Sequence, residues 1–198
     1  MLAEELRPVL PPDAVVVGLA RGGVAVAAEV ARALGLELDV VAVRKVGAPG
    51  EPEYALGAVA PGDGIYIRDS AGLSDEALQR VVDRVKRTAE ELDRSLHRDH
   101  APSKLGGRAC ALVDDGLATG ASMVAAVRWA RSRGASRIIV AVPVGAGGTA
   151  AALASESVTV VCPFMPQSFW AVGLWYDDFR QVEDDEVRAI LGDVRAER

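Results

Sequence analysis

The sequence predicts an α/β domain, a mostly parallel sheet flanked by helices with a small subdomain appended. Three observations carry this. Short β-branched runs alternate with amphipathic stretches, Gly-rich turns follow several of the runs, and 198 residues suffice for one such domain but not for two independent ones. The expected division is a core over residues 1–161 with a flexible loop at 46–54, then the smaller region and C-terminal helix over 162–198.

Ala14 to Gly18 (AVVVG) reads as a strand, LARGG as the turn after it, and VAVAAEVARALG as a helix that stops at Gly35. Leu36 to Lys45 is a second strand. The next stretch, VGAPGEPEYALG, reads as a mobile loop, because Gly, Pro and Glu resist a packed assignment. Two apolar runs flank a Pro-Gly-Asp-Gly turn within Gly57 to Arg68 and give a hairpin. Ser74 caps a long helix to about His97, in which Leu78, Val81, Val82, Val85, Ala89, Leu92 and Leu96 recur at helical spacing. Arg108 to Asp115 and Ser136 to Val144 are apolar strands separated by the helix SMVAAVRWARSRG, and Ser157 to Cys162 is one more strand. The tail from Glu183 reads as a charged helix with a solvated face. Repeated strand and helix imply parallel pairing with right-handed crossovers. The loops LARGG, RKVGAPG, DDGLATG and PVGAGG then gather at the carboxyl edge of the sheet, where ligands bind in such folds.

Composition narrows the function. Half of the residues are apolar and a quarter charged, as in an ordinary globular protein. The net charge of −6 argues against nucleic acid as a partner, while leaving room for a local basic pocket. Only 3 of the 22 basic residues are Lys, and Arg offers a planar fork suited to phosphate. Cys110 and Cys162 lie far apart and the N-terminus has no signal-peptide pattern, so a cytoplasmic protein with reduced thiols is expected. No apolar run approaches the roughly 20 residues of a membrane-spanning helix, so no membrane partner is expected. His97 and His100 lack partners at zinc spacing and read as surface residues, and no nucleophile signature is present. No metal ligand among the side chains is assigned.

The densest chemical signal is Cys110 to Ser122 (CALVDDGLATGAS): a buried strand, two adjacent acids, then small residues opening a helix. Backbone N–H groups of a Gly-rich turn at a helix N-terminus form an anion site, to which Thr119 and Ser122 add hydroxyls. Asp114 and Asp115, one turn short of it, can accept hydrogen bonds from two vicinal ribose hydroxyls. A sugar 5-phosphate fits both halves; a capped helix start with two surface acids is the plainer alternative. Gly145 to Ala150 (GAGGTA) matches the dinucleotide pattern but follows a late strand, and Glu156 comes too early to be its acid, so the loop is placed beside a base pocket instead. Six of the nine aromatic residues, Phe164, Phe169, Trp170, Trp175, Tyr176 and Phe179, crowd the stretch from Cys162 to Arg180. They suit either stacking on a base or packing of a small subdomain.

The 13 residues from Cys110 resemble the motif for 5-phosphoribosyl-1-pyrophosphate (PRPP) of type I phosphoribosyltransferases, and the likeness extends over roughly Val15 to Val144. The resemblance implies that Asp114, Asp115, Gly116, Leu117, Ala118, Thr119, Gly120 and Ser122 hold the ribose 5-phosphate. It also implies that Arg21, Gly22 and Gly23 hold the diphosphate, and that Arg44 and Lys45 meet the leaving group. Residues 46–54 match by position the family's closing loop, residues 162–198 correspond to its hood region and a C-terminal helix, and Trp175 and Tyr176 in VGLWYDDFR are the preferred members of the base pocket. The implied activity is transfer of the phosphoribosyl group from PRPP to a nitrogenous base. Mg²⁺ would be held mainly through PRPP, and Asp114, Asp115, Lys45 and Arg21 would be catalytic. A PRPP-sensing regulator of the same fold and an enzyme with an unusual acceptor are the alternatives, and homo-oligomerisation stays open.

Overall fold

The computed structural model describes residues 1–197, apart from the side chains of Pro52 and Glu53. Its elements run α1 (Leu2–Leu6), β1 (Val15–Ala20), α2 (Gly22–Leu34), β2 (Glu37–Ala42), β3 (Arg44–Ala48), β4 (Glu51–Val59), β5 (Ile65–Ile67) and α3 (Asp75–Leu96). They continue with β6 (Ala109–Val113), α4 (Ala121–Ser132), β7 (Arg137–Ala141), α5 (Gly147–Ala154), β8 (Thr159–Val161), a 3-10 turn (Val172–Trp175) and α6 (Asp184–Ala196). The five-stranded sheet has the order β2-β1-β6-β7-β8 with every pairing parallel, as expected from the repeated strand-helix units.

Both faces of this sheet are buried, which explains why its strands read as continuous apolar runs. Val15, Val17, Leu112 and Val140 pack on one face against Met123 and Trp129 of α4. Their neighbours Val16, Val113 and Ile139 point the other way, onto Val24 and Val30 of α2 and Leu191 of α6. Gly35 ends α2 in the left-handed conformation, at φ 66°. The Ser74 hydroxyl caps α3 by accepting from the Ala77 N–H at 3.3 Å.

Three expectations are corrected. The stretch read as a mobile loop is largely strand: β3 pairs antiparallel with β4 across an irregular register, and β4 with β5, in a separate three-stranded sheet. Val46 and Leu56 are buried under α3, and this small core of Val46, Leu56, Val59, Val82 and Ala89 outweighs the poor strand preference of Gly, Pro and Glu. Of the remaining lid residues, Pro52 and Glu53 have side chains outside the described set. The terminal helix is not simply solvated, because Val187, Leu191 and Val194 are buried against the sheet layer. From Cys162 to α6 the chain carries one 3-10 turn and no helix or strand.

The histidines are the third correction. Asp39, in the middle of β2, is the only buried acid or base among the described residues, at 1% exposure. Its Oδ1 lies 3.0 Å from His97 Nε2 and 3.7 Å from Arg195, and its Oδ2 accepts from the Ser103 N–H at 2.7 Å. His97 in turn reaches the Asp93 carbonyl through Nδ1 at 2.8 Å, so the residue read as surface is packed between α3 and β2. Burial opposes charge on His97, but its hydrogen bonds to Asp39 and Asp93 and their charges outweigh this and carry its pKa up to about 10. Burial likewise works against the Asp39 carboxylate, yet the His97 contact leaves its pKa below the usual value. The partners are 58 residues apart, so no local pattern announces the pair.

His97→Ala strands the Asp39 carboxylate beside an empty space. The expected cost is about 3–5 kcal/mol, the penalty for removing one partner of a buried charge pair, read as a shift in the urea midpoint. A loss under about 0.5 kcal/mol would show that Ser103 and Arg195 alone satisfy Asp39.

Candidate functional site

β6 is buried along its whole length and delivers the acid pair at its carboxyl end. Asp114 Oδ1 accepts from the Asp115 N–H at 2.9 Å, which folds the first carboxylate back over the turn. Neither acid is a surface group of the kind the plainer alternative supposes; both are partly buried. Burial and the adjacent Asp115 charge push the Asp114 pKa well up, and burial raises that of Asp115. Lys45 acts in the opposite sense on both, so its ammonium lies within electrostatic reach of the pair.

The turn beyond the acids is braced rather than loose. Leu117 N–H donates to the Val144 carbonyl at 3.0 Å, and the Ala146 N–H donates back to the Leu117 carbonyl at 2.8 Å. Thr149, in the GAGGTA stretch set aside as a nucleotide motif, donates its hydroxyl to the Ala118 carbonyl at 2.7 Å. Gly120, at φ 77°, turns the chain into α4, where Ala118 and Thr119 are exposed and Ser122 is partly buried at the helix start. Gly116 lies against Val172, which couples the turn to the aromatic segment.

A second loop closes on the first. Gly22 and Gly23 open α2 so near the acids that a Cβ on Gly22 would sit 2.2 Å from Asp115 Oδ2, and one on Gly23 would sit 2.6 Å from the Val113 carbonyl. Arg21 precedes them, its guanidinium 3.5 Å from Glu183 and 3.6 Å from Asp184 at the start of α6. Arg44 has a buried Nε with no hydrogen-bond partner among the described residues.

A cleft of about 590 Å³ collects Arg21, Gly22, Arg44, Asp115 and Tyr176. Tyr176 donates its hydroxyl to the Asp115 carbonyl at 2.6 Å, and burial followed by the acid pair's charge pushes its pKa up to about 12. Tyr176 also borders an adjoining apolar cleft of about 480 Å³, with Trp175, Phe164, Pro143 and Val144. There Trp175 meets Phe164 edge to face at 5.0 Å. The sequence reading missed Arg180 and Gln181, which line the larger cleft, and the acids that hold Arg21. The dense charge of DDFRQVEDDE was the available signal, but nothing local fixes which of these side chains turns inward.

Residues 11–177 match the family model described as the phosphoribosyl transferase domain. Two Mycobacterium tuberculosis proteins, of strains CDC 1551 / Oshkosh and ATCC 25618 / H37Rv, are each 41% identical to this chain over an alignment of 199 positions that covers 96% of it. Their names assign them provisionally as phosphoribosyl transferases, and the chain spans only 44% of their length. The crystal structure of TT1426 from Thermus thermophilus superposes with a TM-score of 0.81 at 45% identity, over 97% of this chain and 93% of that one. The AQ2163 protein of Aquifex aeolicus, at 11% identity and a TM-score of 0.53 over 83% of this chain and 69% of its own, shares the fold alone.

Gly23→Ala tests the closure of the two loops. The added methyl would meet backbone, the Val113 carbonyl at 2.6 Å and Asp114 Cα at 2.8 Å, which cannot swing aside. The expected loss is about 1–3 kcal/mol by thermal unfolding, as for overpacked sites. Gly147→Ala is the control, since nothing lies within 4 Å of its Cβ position; equal behaviour of the two variants would show that the loops are not closely apposed.

Proposed function

The chain belongs to the phosphoribosyl transferase domain family, and from that premise we propose that it transfers the phosphoribosyl group of PRPP to a nitrogenous base with release of diphosphate. One observation carries the reading: the acid pair Asp114–Asp115 ends a buried strand with both pKa values raised, beside an Arg21-Gly22-Gly23 turn and within reach of Lys45. Carboxylates in that state gain most from donors that satisfy them, and two ribose hydroxyls are such donors.

In the proposed reaction the bond from C1 to the diphosphate oxygen breaks, the electron pair leaves with the diphosphate, and a bond from C1 to the base nitrogen forms as that nitrogen sheds its proton. Asp114 and Asp115 hold the ribose and favour the positive charge that develops at C1. Backbone N–H groups of Ala118 to Gly120 and the hydroxyls of Thr119 and Ser122 are the donors to the 5-phosphate at the start of α4, the Leu117 N–H being engaged by the Val144 carbonyl. Arg21, Arg44 and Lys45 receive the departing diphosphate, and the partnerless Arg44 Nε supports that role. A divalent cation also fits beside two partly buried acids whose pKa values stay raised despite Lys45, so Asp114 and Asp115 would face Mg²⁺ carried in with PRPP. When bound there it would neutralise charge on the diphosphate oxygens. Trp175 and Tyr176 border the apolar cleft proposed for the base. The β3–β4 hairpin is the proposed moving part, excluding water from C1 when its tip at Pro49 and Gly50 closes.

PRPP with Mg²⁺ is expected to raise the melting temperature of the native chain, because a ligand that binds only the folded state stabilises it by mass action. Asp114→Asn combined with Asp115→Asn is expected to remove that rise while leaving the ligand-free melting temperature unchanged or higher, since burial already disfavours both charges. A panel of purines, pyrimidines and pyridine acids, read by diphosphate release, then names the acceptor class. Stabilisation without release from any acceptor would favour a PRPP sensor, and no stabilisation at all would remove the reading.

Arg21 gives a separate outcome. Glu183→Gln with Asp184→Asn releases its guanidinium from the α6 acids, and inorganic diphosphate is expected to bind up to about fivefold more tightly, the range for a partly exposed ion pair. Unchanged or weaker binding in calorimetry would mean that these acids do not compete with the anion.

A further inference from the structure

The Asp39–His97 pair has a third member. His100, three residues beyond His97, has both ring nitrogens buried without a hydrogen-bond partner in the described structure. One donor atom from each of Asp39, His97 and His100 lies within 4.8 Å of the other two. The His97 ring packs edge to face on that of His100, with centroids 5.0 Å apart.

The arrangement around His97 points to what the cluster can hold. Its Nδ1 faces the Asp93 carbonyl at 2.8 Å, an oxygen that can only accept, so Nδ1 carries the hydrogen. Its Nε2 then faces Asp39 Oδ1 at 3.0 Å, again an acceptor. Something positive must lie between them, either a proton or a metal ion. An imidazole that donates one N–H to a backbone carbonyl and aims its other nitrogen at a carboxylate has the orientation that outer-shell partners impose on metal-ligating histidines. The orphaned His100 supplies what a proton-only account leaves without a purpose.

We propose that Asp39, His97 and His100 form a binding site for a divalent transition-metal ion of the zinc class, separate from the acid pair at the carboxyl end of β6. Two imidazoles and one carboxylate with an open fourth position suit such an ion. Tetrahedral ligands at zinc distances stand roughly 3.4 Å apart, so Asp39 and His97 are near their places and His100 closes inward. On binding, the Nε2 proton leaves to solvent. Arg195, 3.7 Å from Asp39 Oδ1 and partly exposed, turns outward, leaving two positive charges from the ion against the Asp39 and Asp93 carboxylates. The ion would tie the end of α3 to β2, the strand that leads into Arg44 and Lys45.

The test uses the full chain, stripped with a chelator and titrated with Zn²⁺, then with Co²⁺ as a spectroscopic probe. The expected result is one equivalent of Zn²⁺ with a raised melting temperature, and a visible Co²⁺ absorption typical of a tetrahedral site. His100→Gln leaves the Asp39–His97 contact intact and is expected to weaken binding at least about tenfold with a native fold. Asp114→Asn with Asp115→Asn is expected to leave the titration unchanged. Absence of a bound equivalent, equal affinity in His100→Gln, or loss of binding in the acid-pair variant would each overturn the proposal.

Discussion

A parallel sheet buried on both faces takes polar groups along its ends, and within a strand only where partners satisfy them as at Asp39, and this constraint arranges the rest of the molecule. β6 runs from Ala109 to Val113 without an exposed residue, so the first carboxylates of the chain beyond it emerge at one point of the carboxyl edge. The first turn of α2 is pressed against that point, with no room for a side-chain carbon at Gly22 or Gly23. Because α2 and β6 share the same apolar layer, the spacing between the two loops is fixed by core packing rather than by contacts within the loops. Loops supported in this way can keep a poised geometry at their own expense in solvation, which is visible in the raised pKa of both acids.

The parts of this design that depend on neighbours in sequence were legible from the residues. Strands and helices of the main sheet follow from period and punctuation: AVVVG, the stop at Gly35, the Ser74 cap and the stripe down α3 all stand where local rules put them. The stretch from Cys110 to Ser122 stands out for the same reason, since its acids, glycines and hydroxyls lie within 13 residues of chain.

What could not be read depends on contacts between distant segments. The β3–β4 hairpin looks like a loop because its stability comes from burying Val46 and Leu56 under α3, not from the residues between them. Asp39 looks like one polar interruption in a strand until α3 brings His97 to it, 58 positions later. Arg21 reads as a free phosphate grip, yet it lies 162 residues from Glu183, which holds it through α6. In each case the residue type is visible in the sequence and its partner is not, because the partner is chosen by how helices pack over the sheet.

The aromatic segment shows how far such packing reaches. Tyr176 lies at the wall between the larger cleft and the apolar one, and its hydroxyl donates to the carbonyl of Asp115. Val172, four residues earlier, fills the space over Gly116 on the same turn. Phe164 begins the segment by pairing with Val144, and its carbonyl accepts from Gly145 N–H, beside the Leu117 contacts that brace the turn. The segment therefore touches the acid-bearing turn at two places, and the Val144–Gly145 loop that braces it at a third, without forming a helix or strand of its own beyond the 3-10 turn. An occupant of the apolar cleft that displaced the Tyr176 ring would pull on the Asp115 carbonyl, and a shift of that carbonyl would be felt at the ring. Two ligands that divide the clefts between them would meet through this single hydroxyl, so their binding would be coupled reciprocally, by the same factor in either order.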